Sequence, residues 1–425
     1  MKILVLNGGS STLKTQLFDA DPEKLPVEAP APVWEARADW SRDATLAGVR
    51  IRNAGGAQIE RRQPIREAAD VFAPLIEALW TGDAAVIGGP QEVDAIGHRV
   101  VHGGKALRES ARVTPEVRET IARMAEFAPV HNALELDGIR ATDRLFGERI
   151  PQFAVFDTAF HSSLEPSAYV YPGPYEWVER GIRRYGFHGI SHQYVSRRAA
   201  EMLGRDLASL RLVTCHLGNG CSLAAVKNGR SVDTTMGFTP LDGLMMGSRS
   251  GSIDPGILVF LLNHRNYTPD QVDDLLNRRS GLKGLSGVSS DMRDVEKAID
   301  LGNTRARLAF DVFVHRLVEW IGAMTAVLGG VDALVFTAGI GENSSRVRSA
   351  VARKFGFLGL KLDAAANSAC RPDADVAAAD STVRVLVIRT QEDWQIAREC
   401  ARLTTSVEPR PPSPGDRGSP TRSEE

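Results

Sequence analysis

The residues able to do chemistry lie where glycine is dense. NGGSSTLK (7–14), HLGNG (216–220), MGSRSGSID (246–254) and FTAGIGENSS (336–345) each set glycines beside amides, hydroxyls or a cation. Glycine allows a tight turn and leaves room for phosphate oxygens, while backbone N–H groups, hydroxyls and Lys14 supply donors. One such loop would say little; four separated ones point to a phosphate-rich ligand. No GxxxxGK[ST] segment occurs, which excludes a P-loop, and the lone GIG at 339–341 is a weak dinucleotide signal. A second set consists of Arg99 and His102 after the strand-like AIG, His131 at a loop-to-helix step, Asp157 closing a strand, His188 in RYGFHGISH, and Arg249 among glycines and serines. An arginine among small residues suits an anion, because its fork matches carboxylate or phosphate. For any one of these arginines or histidines a purely structural role is the alternative. His216, His264 and His315 read as ordinary. Asp157, Asp291, Glu342 and Glu392 are acids near loops, and composition does not decide which would hold a metal. ATP as ligand would bring Mg²⁺, for which a strand-end carboxylate is the usual partner.

Bulk composition narrows the setting. A chain of 425 residues, 43% hydrophobic, suits two domains with sizeable cores. A net charge of -2 makes no global case for nucleic acid or a membrane surface. The short basic clusters Arg61–Arg62 and Arg183–Arg184 read as solvated faces. Cys215, Cys221, Cys370 and Cys400 form no CxxC pair, and no fourth ligand stands at metal spacing near the first two, so zinc is not expected. With no signal-peptide layout and no long apolar run, the expectation is a protein of the reducing cytoplasm.

The elements that must position these residues are an alternation of strands and helices. KILVL, the glycine turn and TQLFD read as strand, turn, strand, and VWEARADW adds sheet at the domain edge. REAADVFAPLIEALW (66–80) has helical spacing, as does PEVRETIARMAEF (115–127), with Thr114 as cap and Pro115 in first position. VDAIGHRVVHGG and PQFAVFDTAFH read as buried strands. RLVTCHLGNGCSLAAV (211–226) repeats the opening grammar, suggesting two similar domains that each offer a polar hairpin to one cleft. Residues 304–330 read as one long buried helix, VDALVFTAGIGENS as a strand ending in a glycine loop, and VRVLVIRT as a last core strand before the helix EDWQIARECARLT. The tail SVEPRPPSPGDRGSPTRSEE has almost no apolar content and is expected to be disordered.

With NGGSSTLK, GHRVVHGG, APVHN, VFDTAFH, RYGFHGISHQYV, HLGNGCS, TTMGFTPLDGLMMGSRSGSIDPG, GVSSDMRD, FTAGIGENS and EDWQIA in order over 1–403, the chain resembles the acetokinase family. That family belongs to the larger group of sugar kinases, heat-shock ATPases and actin. The resemblance implies an α/β fold of two similar ribonuclease H-like (actin-like ATPase) domains: 1–158 plus 393–403, and 159–392, with 404–425 as tail. It implies reversible, direct in-line transfer of the ATP γ-phosphoryl group to acetate, with Mg²⁺ (or Mn²⁺) and a homodimer. By position, Asn7 and Glu392 match the metal side and Lys14 a nucleotide-phosphate contact. Arg99 and Arg249 match the arginines flanking the acyl group and the transferring phosphoryl. Asp157 matches the acid that orients or deprotonates the substrate, and His188 a transition-state stabiliser. His216, Leu217, Gly218, Asn219 and Gly220 match the loop on the outer phosphates. Asp291, Met292 and Arg293, with Gly339, Ile340, Gly341, Glu342 and Asn343, match the adenosine side. Val101, Val130, Phe187 and Pro240 match the surroundings of the substrate methyl, and His131 a further active-site histidine. Val130 stands where leucine is commoner, leaving space for one more methylene and keeping propionate as the alternative acid. A nucleotide-binding module without catalysis would have no need of Arg99, His188 and Arg249 together.

Overall fold

A computed structural model describes residues 1–9, 12–40, 43, 45–66, 68–125 and 129–406. The first sheet contains β1 (Lys2–Gly9), β2 (Thr12–Asp19), β3 (Trp34–Asp39), β4 (Leu46–Asn53), β5 (Gln58–Pro64), β6 (Ala95–Val100), β7 (Ala111–Arg112) and β8 (Gln152–Phe156). Its order is β5-β4-β3-β2-β1-β6-β8-β7. The second sheet contains β9 (Arg211–Leu217), β10 (Cys221–Lys227), β11 (Arg230–Thr234), β12 (Ala333–Thr337), β13 (Ala374–Asp375) and β14 (Arg384–Val387), in the order β11-β10-β9-β12-β14-β13. The two share one plan. β3-β2-β1 and β11-β10-β9 are antiparallel runs, and each passes into two parallel strands, β6-β8 and β12-β14. The repeated hairpin grammar of the sequence is therefore a repeated topology.

Strand alternation decides what faces the middle. On β1, Leu4 and Leu6 enter the outer core of the first sheet, with Phe72, Leu75, Ile76 and Leu134 of the covering helices. Ile3 and Val5 turn the other way, into a cluster that also holds Leu212, Ala224, Val226, Ala333 and Val335 of the second sheet. Two helices fill this shared layer: Gly189–Met202, through Ile190, Val195 and Ala199, and the last helix, Glu392–Ser406, through Trp394, Ile396 and Cys400. The last helix packs on β1 and β6 and on the Gly189–Met202 helix. It extends to Ser406, beyond the expected end at 403; residues 407–425 lie outside the described residues. On the far side, the long helix Thr304–Leu328 covers the second sheet with Phe310, Phe313, Leu317, Ile321 and Met324.

Three sequence expectations need correction. The helix expected over 66–80 is a 3₁₀ turn, Ala68–Val71, and a short helix, Phe72–Glu77. Pro74 has no N–H and its ring would clash with the carbonyl of Asp70 in a continuous helix, so it is tolerated only in a first turn. The glycine loop after β12 is instead a helix, Ala338–Asn343, with Ala338 at φ 63. Arg183–Arg184 is not a solvated face: the Arg183 guanidinium lies 3.4 Å over the Tyr169 ring, and Arg184 Nη1 donates to the carbonyls of Thr234, Thr235 and Met236. The helix start did follow its signals, with the Thr114 side chain accepting from Val117 N–H ahead of Pro115–Met124.

Candidate active site

The site forms where the parallel strands of both sheets end. Asn7 continues the Ile3–Val5 face of β1 and so points at the last helix. Its amide nitrogen donates to Glu392 Oε2 at 3.3 Å and Asp393 Oδ1 at 2.8 Å. Lys14, opposite Asn7 in the β1–β2 ladder, pairs with Asp393 at 2.5 Å. Asp393, not singled out in the sequence, thus anchors two expected site residues. Burial opposes ionisation of the half-buried Glu392, but Arg99, His216, Asn7 and Lys14 hold it below the usual carboxylate range.

Arg99, near the end of β6, faces Asp157, just past β8. Its Nη2 is 2.6 Å from Oδ2 and its Nε 3.4 Å from Oδ1, while Nη1 donates to Gly8 O at 3.2 Å. Burial pushes the Asp157 carboxyl up, Arg99 pulls it down and Glu392 pushes it up, and the result is raised. The Asp157 carboxylate also accepts the backbone N–H of His188, and its carbonyl accepts from Gly189 N at 2.8 Å. His188 sits in the left-handed region, φ 58, at the N-terminus of the Gly189–Met202 helix. Its Nδ1 meets Ser222 Oγ at 2.9 Å, and its ring stacks on His216 with centroids 4.1 Å apart. Burial and the neighbouring histidines hold its pKa well below the ordinary value.

Arg249 completes the cleft. Nη1 donates to Pro240 O at 2.8 Å, and among the described residues no carboxylate pairs with this half-buried guanidinium. Burial depresses its pKa. A Cβ placed on Gly220 would lie 3.4 Å from His188 Nε2 and 3.6 Å from Arg249 Nη1, so this glycine keeps open the space where the two side chains converge.

The other glycine loops meet in the second domain. Gly247 N donates to Asn219 O at 3.0 Å, and a Cβ on Gly218 would touch the Ala338 methyl. Glu342 Oε1 accepts from Ala338 N and Thr390 N, both at 3.0 Å, tying this helix to the segment before Glu392. Asn343 donates to Gly339 O at 2.8 Å. Asp291 caps the helix Met292–Asp300 and pairs with exposed Arg293 at 2.5 Å at the rim. Leu217, Met292 and Ile340 turn their side chains into the core and Gly341 is buried with them, leaving the exposed Gly339 as the open backbone of that wall. Of the residues expected around the substrate methyl, Val101 and Phe187 are buried together, with Pro240 partly exposed. Val130 and His131 begin the helix Pro129–Phe146, but their side chains lie outside the described residues.

His216, ordinary in its own right and given a site role only by the resemblance, stacks on His188, and its Nδ1 is 2.8 Å from Ser191 Oγ. One further residue was not singled out in the sequence at all. Glu135 holds Val101 N–H with both oxygens, at 3.0 and 3.1 Å, and burial pushes its pKa up to about 8 against the pull of Arg99. The available signal was a polar residue on the buried stripe Asn132, Glu135, Ile139, Thr142.

The family model described as the acetokinase family matches residues 2–398. The chain belongs to the acetokinase family. An acetate kinase of Gloeobacter violaceus is 58% identical over 400 residues, 94% of this chain and 98% of that protein. The crystal structure of Porphyromonas gingivalis acetate kinase is similar with a TM-score of 0.86 at 37% identity, covering 95% of this chain and 99% of that one. A propionate kinase from Francisella tularensis gives 0.85 at 36% identity, covering 94% and 99%. Among the described residues of this acetokinase, no helix is long and apolar enough to cross a membrane.

Proposed function

We propose that the protein is a kinase that transfers the γ-phosphoryl group of ATP to acetate, reversibly, giving acetyl phosphate and ADP. The observation that carries this reading is Arg249: a half-buried guanidinium without a carboxylate partner among the described residues, converging with His188 at Gly220. An uncompensated cation of this kind calls for an anion, and a second charged fork, Arg99, lies across the cleft. Phosphoryl transfer needs positive charge around the equatorial oxygens and in-line placement of donor and acceptor. In the reaction one acetate oxygen forms the new bond to phosphorus as the bond from phosphorus to the β,γ-bridging oxygen breaks, and ADP carries away that electron pair. Acetate is already ionised near neutral pH, so no proton has to move. Asp157 is engaged by the Arg99 fork, which supports an orienting role over that of a base.

The glycine walls Gly218–Gly220 and Gly339–Gly341 support nucleotide binding, with Asn219, Asp291, Arg293, Glu342 and Asn343 around them. Lys14 supports it less directly, being held by Asp393. The donors present fit Mg²⁺. Asn7 uses its NH₂ on Glu392 and Asp393 and keeps its amide oxygen available, beside a carboxylate held ionised. Hard cations of this size take one or two carboxylates and complete their shell with phosphate and water. Asn7 and Glu392 would hold the ion, which when bound neutralises charge on the outer phosphates.

Propionate is the second reading, favoured by the Francisella tularensis likeness and by a wall of Val101, Phe187 and Pro240, which separates acids differing by one methylene by only about 1–3 kcal/mol. Trapping the acyl phosphate with hydroxylamine across acetate, propionate and butyrate tests both readings. Highest kcat/KM with acetate is expected; a propionate preference would reassign the acid, and no hydroxamate from any of them would remove the reading. A homodimer is supported by the helix Pro255–His264, on which Ile257, Val259, Phe260 and Leu262 are 45%, 57%, 47% and 40% exposed. A second copy of the chain is the partner such an apolar helix suits.

A further inference from the structure

We infer that Thr214, His192 and Ser222 form a buried relay that fixes the tautomer of His188, so that its neutral ring presents Nε2–H, not a lone pair, to the transferring phosphoryl group. Thr214 and His216 on β9, and Ser222 on β10, lie on the strand faces that turn toward the middle layer, where the Gly189–Met202 helix brings His192. Thr214, Ser222 and His192 are all fully buried, so water does not supply alternative partners.

The contacts form one line. Thr214 Oγ1 lies 2.7 Å from His192 Nδ1, His192 Nε2 lies 2.8 Å from Ser222 Oγ, and Ser222 Oγ lies 2.9 Å from His188 Nδ1. A hydroxyl has one proton, and a neutral imidazole has one N–H and one lone pair. Among the described residues Ser222 Oγ meets only these two rings, so its buried proton goes to one of them and its oxygen accepts from the other, and the two histidines cannot be wired independently. The direction is set at the Thr214 end. Its proton has two possible acceptors, His192 Nδ1 at 2.7 Å and Ala224 O at 3.4 Å. The longer contact is outside the usual O–H···O range of about 2.5–3.0 Å, so the proton goes to the imidazole. His192 then carries its proton on Nε2 and donates to Ser222, and Ser222 donates to His188 Nδ1. His188 is left with its proton on Nε2, the atom beside Gly220 and Arg249.

The relay rests on the proposed phosphoryl transfer for its purpose but not for its existence. A neutral donor stabilises an oxyanion without a cation having to form between Arg99 and Arg249, where a third positive charge would be opposed. Thr214, His192 and Ser222 are positioning residues in this arrangement, since each acts through His188.

The test is nitrogen NMR of the full chain labelled at its histidines, without substrates, since ring nitrogen shifts distinguish the tautomers directly. Both His188 and His192 are expected as Nε2–H with a bare Nδ1; an Nδ1–H on either ring in the wild type overturns the relay. Ser222→Ala should release His188 into a mixture of tautomers and lower kcat about tenfold, with KM for ATP within about twofold. Ser222→Thr should restore the single tautomer and most of kcat. A single Nε2–H tautomer at His188 persisting in Ser222→Ala would also overturn it. If that variant does not fold, the wild-type spectrum alone decides. Because the spectrum needs no turnover, a failed acyl phosphate assay would count against the proposed reaction and leave the tautomer result standing.

Discussion

Arg249 and Asn7 sit in one cleft but should fail in different ways. Arg249→Leu removes a cation facing the transferring group, and kcat/KM for acetate is expected to fall about 10²–10³-fold, the usual loss for one such donor. Extra Mg²⁺ should not recover it. Asn7→Ala should instead raise the Mg²⁺ needed for half-maximal rate. Titrating Mg²⁺ over both variants checks this, and equal recovery would refute the division of roles. Glu135 gives a pH test. Its folded carboxyl, pushed up to about 8 from an ordinary 4.5, keeps its proton where the unfolded chain has lost it. Between those values the folded state binds the extra proton, so this group lowers stability as pH rises. Glu135→Gln should flatten that decline, read as the Tm difference between the two proteins at pH 5 and pH 8; parallel pH curves would show that Glu135 titrates normally. Arg99, His188 and Arg249 were legible as candidates because their types beside glycines are unusual, and Asp157 because it closes a strand. Ser222 and Glu135 were not, since a serine in a strand and a glutamate in a helix acquire meaning only from neighbours 34 residues away along the chain.

At the scale of elements, β6 and the last helix form a close seam between the first sheet and the end of the described chain. A Cβ on Gly97 would lie 2.6 Å from both Cys400 Sγ and Ile396 Cγ2. Gly97→Ala should therefore destabilise the protein by about 1–3 kcal/mol, the common cost of overpacking, measured by chemical denaturation. Cys400→Ala in the same chain should recover part of the loss; a neutral Gly97→Ala would show that this helix can shift outward at no cost. The seam also explains what could be read in advance. Short apolar runs located β1, β6 and β8, and period-3.6 spacing the long Thr304–Leu328 helix, because burial writes itself into residue types. Spacing alone did not expose the break at Pro74, where a missing N–H outweighs a good apolar pattern, nor the helix hidden in AGIGEN, which glycine content disguised.

For the whole molecule, two sheets of one plan share a middle layer whose polar end becomes the cleft, and the outer helix Pro255–His264 remains apolar and exposed. Replacing Val259 and Phe260 together with Asp should convert a dimer to a monomer by light scattering; a monomeric wild type would refute the pairing surface. The similar topology of the halves was legible from the repeated hairpin, whereas the shared layer was not, because it joins helices nearly two hundred residues apart (Ser191 and Thr390 hydroxyls meet at 3.0 Å). The central claim is direct transfer from ATP to a carboxylate oxygen, and phosphorus NMR with acetate labelled by heavy oxygen tests it most directly. Acetyl phosphate should appear as ATP becomes ADP, with the heavy isotope shifting the acyl phosphate signal because one acetate oxygen now bridges to phosphorus. Inorganic phosphate in place of acetyl phosphate, or an acyl phosphate without the isotope shift, would contradict it.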